Sequence, residues 1–129
     1  MYATLAVVCD YASYSDDGRL NILGILDEAS YPRYPAIIPT LYVVVCFSAS
    51  PAEANTEKKV EVVLVDPDGA ELNRASQTVR VEPSGIPGRR SAINIIVQMQ
   101  LVELPAAGDY AVAVLVGGDE KRSVGIRFI

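Results

Sequence analysis

The feature that most constrains the fold is the period-two pattern of residues 108–129. Large side chains recur at every second position on both sides of a break made of Gly117, Gly118 and Asp119. Alternate residues of a strand point to opposite faces, and glycines supply the positive φ angles of a tight turn, so the stretch predicts a β-hairpin. The side chains expected to face inward are Tyr110, Val112, Val114, Val116, Val124, Ile126 and Phe128.

The rest of the chain repeats this pattern, with Asp-Gly turn signals and no long helical periodicity. Six further strands are predicted, at residues 4–14, 19–27, 41–49, 60–65, 71–81 and 89–104. The polar residues 71–81 are typical of an edge strand or a solvated face. Two long connections, 28–39 and 82–88, favour crossovers between sheets. We therefore expect one domain, residues 1–129, folded as an eight-stranded antiparallel Greek-key β-sandwich, immunoglobulin-like or C2-like.

Three smaller signals refine this expectation. The start of the hairpin, Ala107 to Tyr110, resembles the tyrosine corner of immunoglobulin-type sandwiches, in which a tyrosine hydroxyl bonds nearby backbone. Three prolines between Tyr31 and Pro39 exclude a helix or a central strand there, and residues 50–59 are compatible with one short helical turn.

Composition and charge exclude several functions. The chain carries a net charge of -5, whereas nucleic-acid binding normally needs a basic face. It has no histidine, which removes the commonest general base and metal ligand together with the Ser-His-Asp and Cys-His catalytic sets. No apolar run approaches the roughly 20 residues of a membrane span, and no basic leader precedes the first strand. We expect a cytoplasmic protein without membrane insertion or cofactor.

The two cysteines, Cys9 and Cys46, both fall in apolar strand-like runs. A disulfide between facing sheets would imply an oxidising compartment, whereas two buried free thiols need only an ordinary core. Without an export signal, the sequence favours free thiols. Two cysteines without histidine do not complete a usual zinc site.

The first predicted hairpin, residues 4–27, is apolar on both faces. Such a pattern is typical of a central strand covered on both sides, or of one that meets a partner. The crossover loop from Tyr31 to Pro39 is the alternative cover for this surface. We expect a non-catalytic interaction or assembly module that self-associates or binds a protein partner.

Two alternatives stay open. Asp16, Asp17, Asp66 and Asp68 lie in turns, and a C2-like sandwich would bind calcium, or another ligand, through such loop-end carboxylates. A carboxylate-based enzyme would require two of Asp10, Asp27 and Glu28 to converge in a pocket. Turns and solvated strand ends explain these residues without any site, so no catalytic, cofactor-binding or metal residue is assigned.

Two blocks of sequence carry a family resemblance: residues 1–12 together with 17–27, and Gly108-Asp-Tyr together with Val116-Gly-Gly in the C-terminal hairpin. Together they resemble a family of small, uncharacterised bacterial proteins of nearly this length. The resemblance implies a short, free-standing bacterial β-protein, and it implies no activity or functional residues.

Overall fold

The computed structural model describes residues 1–129 and consists of strands, turns and one turn of 3-10 helix, Pro51–Glu53. Nine strands, numbered here in chain order, are β1 (Tyr2–Tyr14), β2 (Leu20–Ile25), β3 (Glu28–Ala29), β4 (Ala36–Ala49), β5 (Glu57–Val65), β6 (Glu71–Arg80), β7 (Ser91–Leu104), β8 (Gly108–Val116) and β9 (Asp119–Phe128). The short helical turn falls where the sequence allowed one.

The strands form two sheets that share one core. Sheet A has the order β2-β1-β4-β7, and sheet B has the order β3-β9-β8-β5-β6. Buried side chains from both sheets make a single large cluster. The all-β prediction is confirmed, but the predicted number of eight strands is wrong. The two residues of β3 add a ninth strand, which pairs parallel with β9. At β3 the chain passes from sheet A to sheet B.

The C-terminal hairpin forms as predicted from its alternation. Gly117 and Gly118 take φ angles of 59° and 88° and connect β8 to β9 as a two-residue turn. Asp119 pairs with Val116 and so begins β9 instead of belonging to the turn. Six of the seven side chains expected to face inward are buried, and Val124 packs against the same core. Burying these apolar groups on one face fixes the register of the hairpin.

Tyr110 closes the tyrosine corner that the sequence indicated. Its hydroxyl donates a hydrogen bond of 2.6 Å to the carbonyl oxygen of Ala106. The ring is buried and meets Phe128 edge to face, with centroids 5.2 Å apart. The hydroxyl therefore satisfies its donor at the rim of the core while the ring fills the interior.

Strand β4 begins five residues earlier than predicted and includes Pro39, which corrects the expectation that the prolines exclude a central strand. The part of β4 that pairs with β1 runs only from Tyr42 to Ser48. Pro39 lies before that part, where β4 pairs with β7 alone and the register skips the proline. A strand tolerates a residue without N–H where one side has no partner strand.

The crossover loop is anchored to the end of the core by its tyrosines. Tyr34 donates a hydrogen bond of 2.9 Å to the carbonyl oxygen of Ile129, and the ring of Tyr31 packs 6.1 Å from that of Phe128. Both tyrosines contact the main core cluster. The loop therefore covers the end of the core, and the alternative that it covers the apolar surface of the first hairpin does not hold, since Leu23 and Ile25 are exposed.

Both cysteines are free, as the sequence favoured. They lie in the same sheet, since Cys9 in β1 is opposite Tyr42 in β4, four residues from Cys46. Four residues of strand span about 13 Å. A disulfide brings the two Cα atoms within about 7 Å. Neither a bridge within sheet A nor one between facing sheets is therefore possible.

Candidate functional site

The first hairpin ends sheet A, because β2 pairs only with β1. The prediction that both faces of this hairpin are covered is half right. Its strand β1 is central, between β2 and β4, while β2 is an apolar edge. The second half of β1 pairs with β2 and no longer with β4, so the two halves of β1 have different partners.

One face of the hairpin packs against the outward face of sheet A. Leu20 and Ile22 of β2 contact a small cluster formed by Cys9, Ala12 and Val44. The hydroxyl of Tyr14 donates a hydrogen bond of 2.8 Å to the carbonyl oxygen of Asn94 in β7, two strands beyond β1. The hairpin thus lies across the sheet and covers part of its outward face.

Burial under the hairpin makes Cys9 a structural residue. The side chain is almost fully buried, and this desolvation raises the pKa of the thiol above its ordinary value. A thiol with a raised pKa holds little thiolate, which is the nucleophilic form. Desolvation also raises the pKa of Cys46. Both cysteines therefore behave as small apolar side chains.

The other face of the hairpin carries three large apolar side chains in contact with solvent. Tyr11 is 47%, Leu23 61% and Ile25 66% exposed. Tyr11 and Leu23 are directly opposite each other across the two strands. We call Tyr11, Leu23 and Ile25 the hairpin surface. Adjacent exposed apolar groups on one face mark a site of interaction more often than isolated ones do.

A stack of two tyrosines orders one end of the hairpin surface. The rings of Tyr11 and Tyr42 meet edge to face, with centroids 5.4 Å apart and planes inclined by 65°. Tyr42 belongs to β4 in the sheet below. The stack fixes one side chain of the hairpin surface before any partner binds, which reduces the entropy lost on binding.

The hairpin changes direction at Gly24, which adopts a φ of 67°. A Cβ atom at this position would lie 3.0 Å from Cγ of Asp10, the residue opposite. Asp10 and Gly24 interrupt the apolar runs of both strands at the same level of the hairpin. This coincidence is the signal in the sequence from which the bend could have been predicted.

The carboxylates considered for catalysis are only partly brought together. Asp27 and Glu28, which are neighbours in sequence, line an open depression of about 420 Å³ with Asp109 and Arg127, whereas Asp10 does not line it. Nε of Arg127 lies 2.8 Å from Oδ1 of Asp109, and this hydrogen bond raises the pKa of the guanidinium. The arrangement is typical of a surface ion-pair network, without the enclosure that carboxylate catalysis requires.

The turn aspartates belong to different sheets and are used within their own turns. Asp17 accepts hydrogen bonds from the Ser15 hydroxyl and the Arg19 N–H, and the serine hydroxyl lowers the pKa of its carboxyl. Asp66 accepts from the N–H groups of Asp68 and Ala70. No three Asp, Glu, Cys or His side chains are grouped so that they could hold a metal ion. Asp16 and Asp17 therefore share no site with Asp66 and Asp68.

One charged cluster was missed from the sequence. Glu53 accepts hydrogen bonds from the N-terminal ammonium group of Met1 at 2.8 Å and from the backbone N–H of Ser50 at 3.0 Å. The ammonium group is the largest cause that lowers the pKa of Glu53 to about 2. The signal was the spacing Ser50-Pro-Ala-Glu53, which matches a capping box before a helical turn. The cluster ties the start of β1 to the 3-10 turn.

The comparisons with known proteins give the family. A family model described as a family of unknown function (DUF6941) matches residues 4–129. The chain therefore belongs to this family, which confirms the resemblance of its two sequence blocks to a family of uncharacterised proteins that covers nearly the whole chain. No curated protein matches the sequence. The structure contains no helix with the length and apolar character of a membrane span.

Proposed function

We propose that this member of the DUF6941 family is a non-catalytic interaction module that self-associates through its first hairpin. The observation that carries the proposal is the contrast between the two faces of that hairpin. Leu20 and Ile22 are packed on sheet A, while Leu23 and Ile25 are more than half exposed on the other face. The packed face holds the hairpin in place, so the exposed face is a fixed surface.

The energetic argument concerns area removed from water. Burial of apolar surface contributes roughly 25 cal/mol per Å², and the three side chains of the hairpin surface are already ordered by the strands that carry them. A partner that covers them gains this term with a small loss of conformational entropy. The cytoplasm remains our proposed location, and the two thiols that are too distant to bridge are consistent with a reducing compartment.

We further propose that the two sheets form a Greek-key sandwich of the immunoglobulin type, with β3 as an addition to the eight expected strands. In that type one sheet contains the neighbours A-B-E and the other C-F-G. The orders β1-β4-β7 and β5-β8-β9 correspond to these neighbours, with β2 and β6 added at the edges. The tyrosine corner at Tyr110, at the start of the strand that corresponds to F, supports the same assignment.

Sedimentation velocity over a range of protein concentrations tests the function. We expect the native chain to associate reversibly. The variant Leu23→Lys/Ile25→Lys should associate more weakly by about tenfold at least, because a buried ammonium group must lose its hydration. Both substituted side chains are exposed, so the variant is expected to keep the native circular dichroism spectrum.

The matched control places two lysines on the edge strand of the other sheet, as Ser76→Lys/Thr78→Lys. Both residues are exposed in β6, so the same charge is added at a distance from the hairpin surface. The control should associate as the native chain does. A native chain that sediments as a monomer at its highest soluble concentration, or a control that loses association to the same degree, contradicts the proposal.

A further inference from the structure

The open edge of β2 has a defined set of backbone groups. The N–H of Ser15 donates to the carbonyl oxygen of Arg19, which closes the turn of the hairpin. Hydrogen-bonded pairs alternate with non-bonded pairs along an antiparallel ladder, so Asn21 and Leu23 bond β1. The N–H and C=O groups of Leu20 and Ile22 therefore point away from β1, where no strand pairs with them.

The ends of β2 carry opposite charges. Arg19 precedes the strand, and Asp27 and Glu28 follow it. Arg19 is exposed, and its partner within the chain is the exposed Asp17 of the same turn. In an antiparallel pair of identical strands, the N-terminal end of each copy lies beside the C-terminal end of the other. The two ends would therefore attract each other across such a pair, whereas a parallel pair would place arginine beside arginine.

We propose that two copies of the chain pair β2 to β2, antiparallel, about a twofold axis at Leu23, so that Arg19 of each copy lies opposite Asp27 of the other. This inference rests on the proposed self-association and specifies its geometry. The arrangement joins the hairpins of two copies into one four-stranded antiparallel ladder, and it is the self-complementary contact that a twofold dimer requires.

Register follows from the ladder and from the charges together. The N–H of Leu26 donates to the carbonyl oxygen of Val8 in β1, so the alternation shifts at Gly24, and the outward groups of β2 before that point are those of Leu20 and Ile22. If the outward groups of Ile22 bond the second copy, the axis lies either at Ile22, which pairs Ile22 with itself, or at Leu23. An axis at Ile22 would put Arg19 opposite the apolar Ile25. An axis at Leu23 pairs Arg19 with Asp27 and Ile22 with Gly24. The charges therefore select Leu23.

The same register covers the hairpin surface. With Leu23 on the axis, the two copies of this side chain are directly opposite in a non-bonded pair, with Cα atoms about 4.5 Å apart. Ile25 lies opposite Asn21 of the second copy, so each exposed isoleucine gains a neighbour.

The net charge of -5 on each chain opposes association in general. The two Arg19–Asp27 contacts place opposite charges where the chains come closest.

Disulfide trapping tests the register. The variant Leu23→Cys should form a covalent dimer under mild oxidation, because the Cα separation on the axis lies within the range of a disulfide. Asn21→Cys mixed with Ile25→Cys should cross-link to each other, while neither should cross-link alone. Thr78→Cys in β6, an exposed position on the other sheet, is the matched control and should stay monomeric on a denaturing gel.

Charge reversal tests the ends of the strand. Arg19→Asp alone should weaken association about fivefold, and Arg19→Asp/Asp27→Arg should restore it. Asp17→Asn removes the partner of Arg19 within the turn and should leave association unweakened. A double reversal that associates no better than the single one overturns the assigned pairing.

The outcomes separate the two proposals. Native association without cross-linking of Leu23→Cys overturns the strand pairing and leaves the proposed function standing. A native chain that does not associate overturns both proposals. Cross-linking of Leu23→Cys at a rate no higher than that of Thr78→Cys counts as absence, because random collision gives such a rate for any exposed thiol.

Discussion

Strands β2 and β6 both end a sheet, yet their outward side chains differ in kind. On β6 these are Arg74, Ser76 and Thr78, and Arg74 pairs with Glu61 of the neighbouring strand and with Glu71 at 2.7 Å. On β2 they are Asn21, Leu23 and Ile25, which carry no charge. The polar sequence of β6 predicted an edge or a solvated face, and the sheet order confirms the edge.

The two edge strands differ in their protection against pairing with another chain. An edge strand presents unpaired N–H and C=O groups that another chain can bond, and proteins commonly prevent this with charged side chains. The guanidinium of Arg74 and its two carboxylates supply that protection on β6. Strand β2 has the same open groups without the charges, which is the pattern expected of an edge that a partner covers.

Strand β7, the other edge of sheet A, has one backbone angle that is unusual for a strand. Leu101 takes a φ of 51° and is 75% exposed, opposite the position where the register skips Pro39. A non-glycine residue in the left-handed region distorts the ladder at this point. Both edges of sheet A thus contain one positive φ angle, at Leu101 in β7 and at Gly24 in β2, and β2 is the one with the apolar outward face.

The largest effect on stability is expected from Gly24→Ala, which alters the bend of the apolar hairpin. The substitution combines a positive φ with contact between the new Cβ and Asp10, and we expect it to lower the free energy of unfolding by about 2 kcal/mol. Chemical denaturation measures the change. The hairpin needs this bend to pack one face on sheet A and to present the other face to a partner. The substitution should therefore also weaken self-association.

The matched control for Gly24 is Gly69→Ala, in the turn before the polar edge strand. Gly69 also has a positive φ, of 85°, but a Cβ there meets no atom within 4 Å. Only the cost of the positive φ remains, and we expect Gly69→Ala to lower the free energy of unfolding by about 1 kcal/mol. Adding Asp10→Ala to Gly24→Ala should recover part of the loss. Equal losses for the two alanine variants would refute the role of the Asp10 contact.

A smaller effect is expected when the polar edge is made apolar. Ser76→Leu/Thr78→Ile gives β6 the side chains that β2 carries at its outward positions, while Arg74 stays in place. We expect weak new association, several-fold short of that of β2, because the arginine still opposes burial. Sedimentation velocity on a Leu23→Lys/Ile25→Lys background isolates the new contact. Association as strong as that of the native chain would show that the charge is not protective.

The smallest effect is expected from Glu71→Gln at the same edge. The hydrogen bond from Arg74 lowers the pKa of the Glu71 carboxyl. A lowered folded-state pKa stabilises the fold above the ordinary value of 4.5, and this contribution is lost as the pH falls through the lowered pKa. Glutamine should remove that pH dependence, with a loss of stability visible only at low ionic strength. Thermal melting at several pH values measures it, and an unchanged profile would contradict the assignment.

Much of the fold could be predicted from alternation alone. The buried residues of β8 and β9, the turn at Gly117 and Gly118 and the polar edge β6 all follow from period-two patterning, since each face has a single environment. The errors arose where one strand has two environments. Strand β4 pairs on both sides only beyond Tyr42, and that change allowed Pro39 to lie within it.

The candidate site was predictable in composition but not in position. Apolar residues on both faces of the first hairpin indicated cover on both sides, and the structure covers only Leu20 and Ile22. Which face is covered depends on the bend at Gly24, a backbone angle that the apolar pattern does not encode. The position of Asp27 and Glu28 beside Arg127, in the same depression, likewise depends on β3 joining sheet B.

The amino-acid sequence alone predicted that the chain is all-β and that one hairpin has more apolar surface than a single core needs, and it favoured free thiols without deciding the point. These are local consequences of side-chain period, composition and turn chemistry. The edge position of β2, the packing of its hairpin across sheet A and the exposure of Leu23 and Ile25 emerged from the three-dimensional fold. The reason is that strand order and bending depend on contacts between residues far apart in the chain, such as Tyr14 with Asn94.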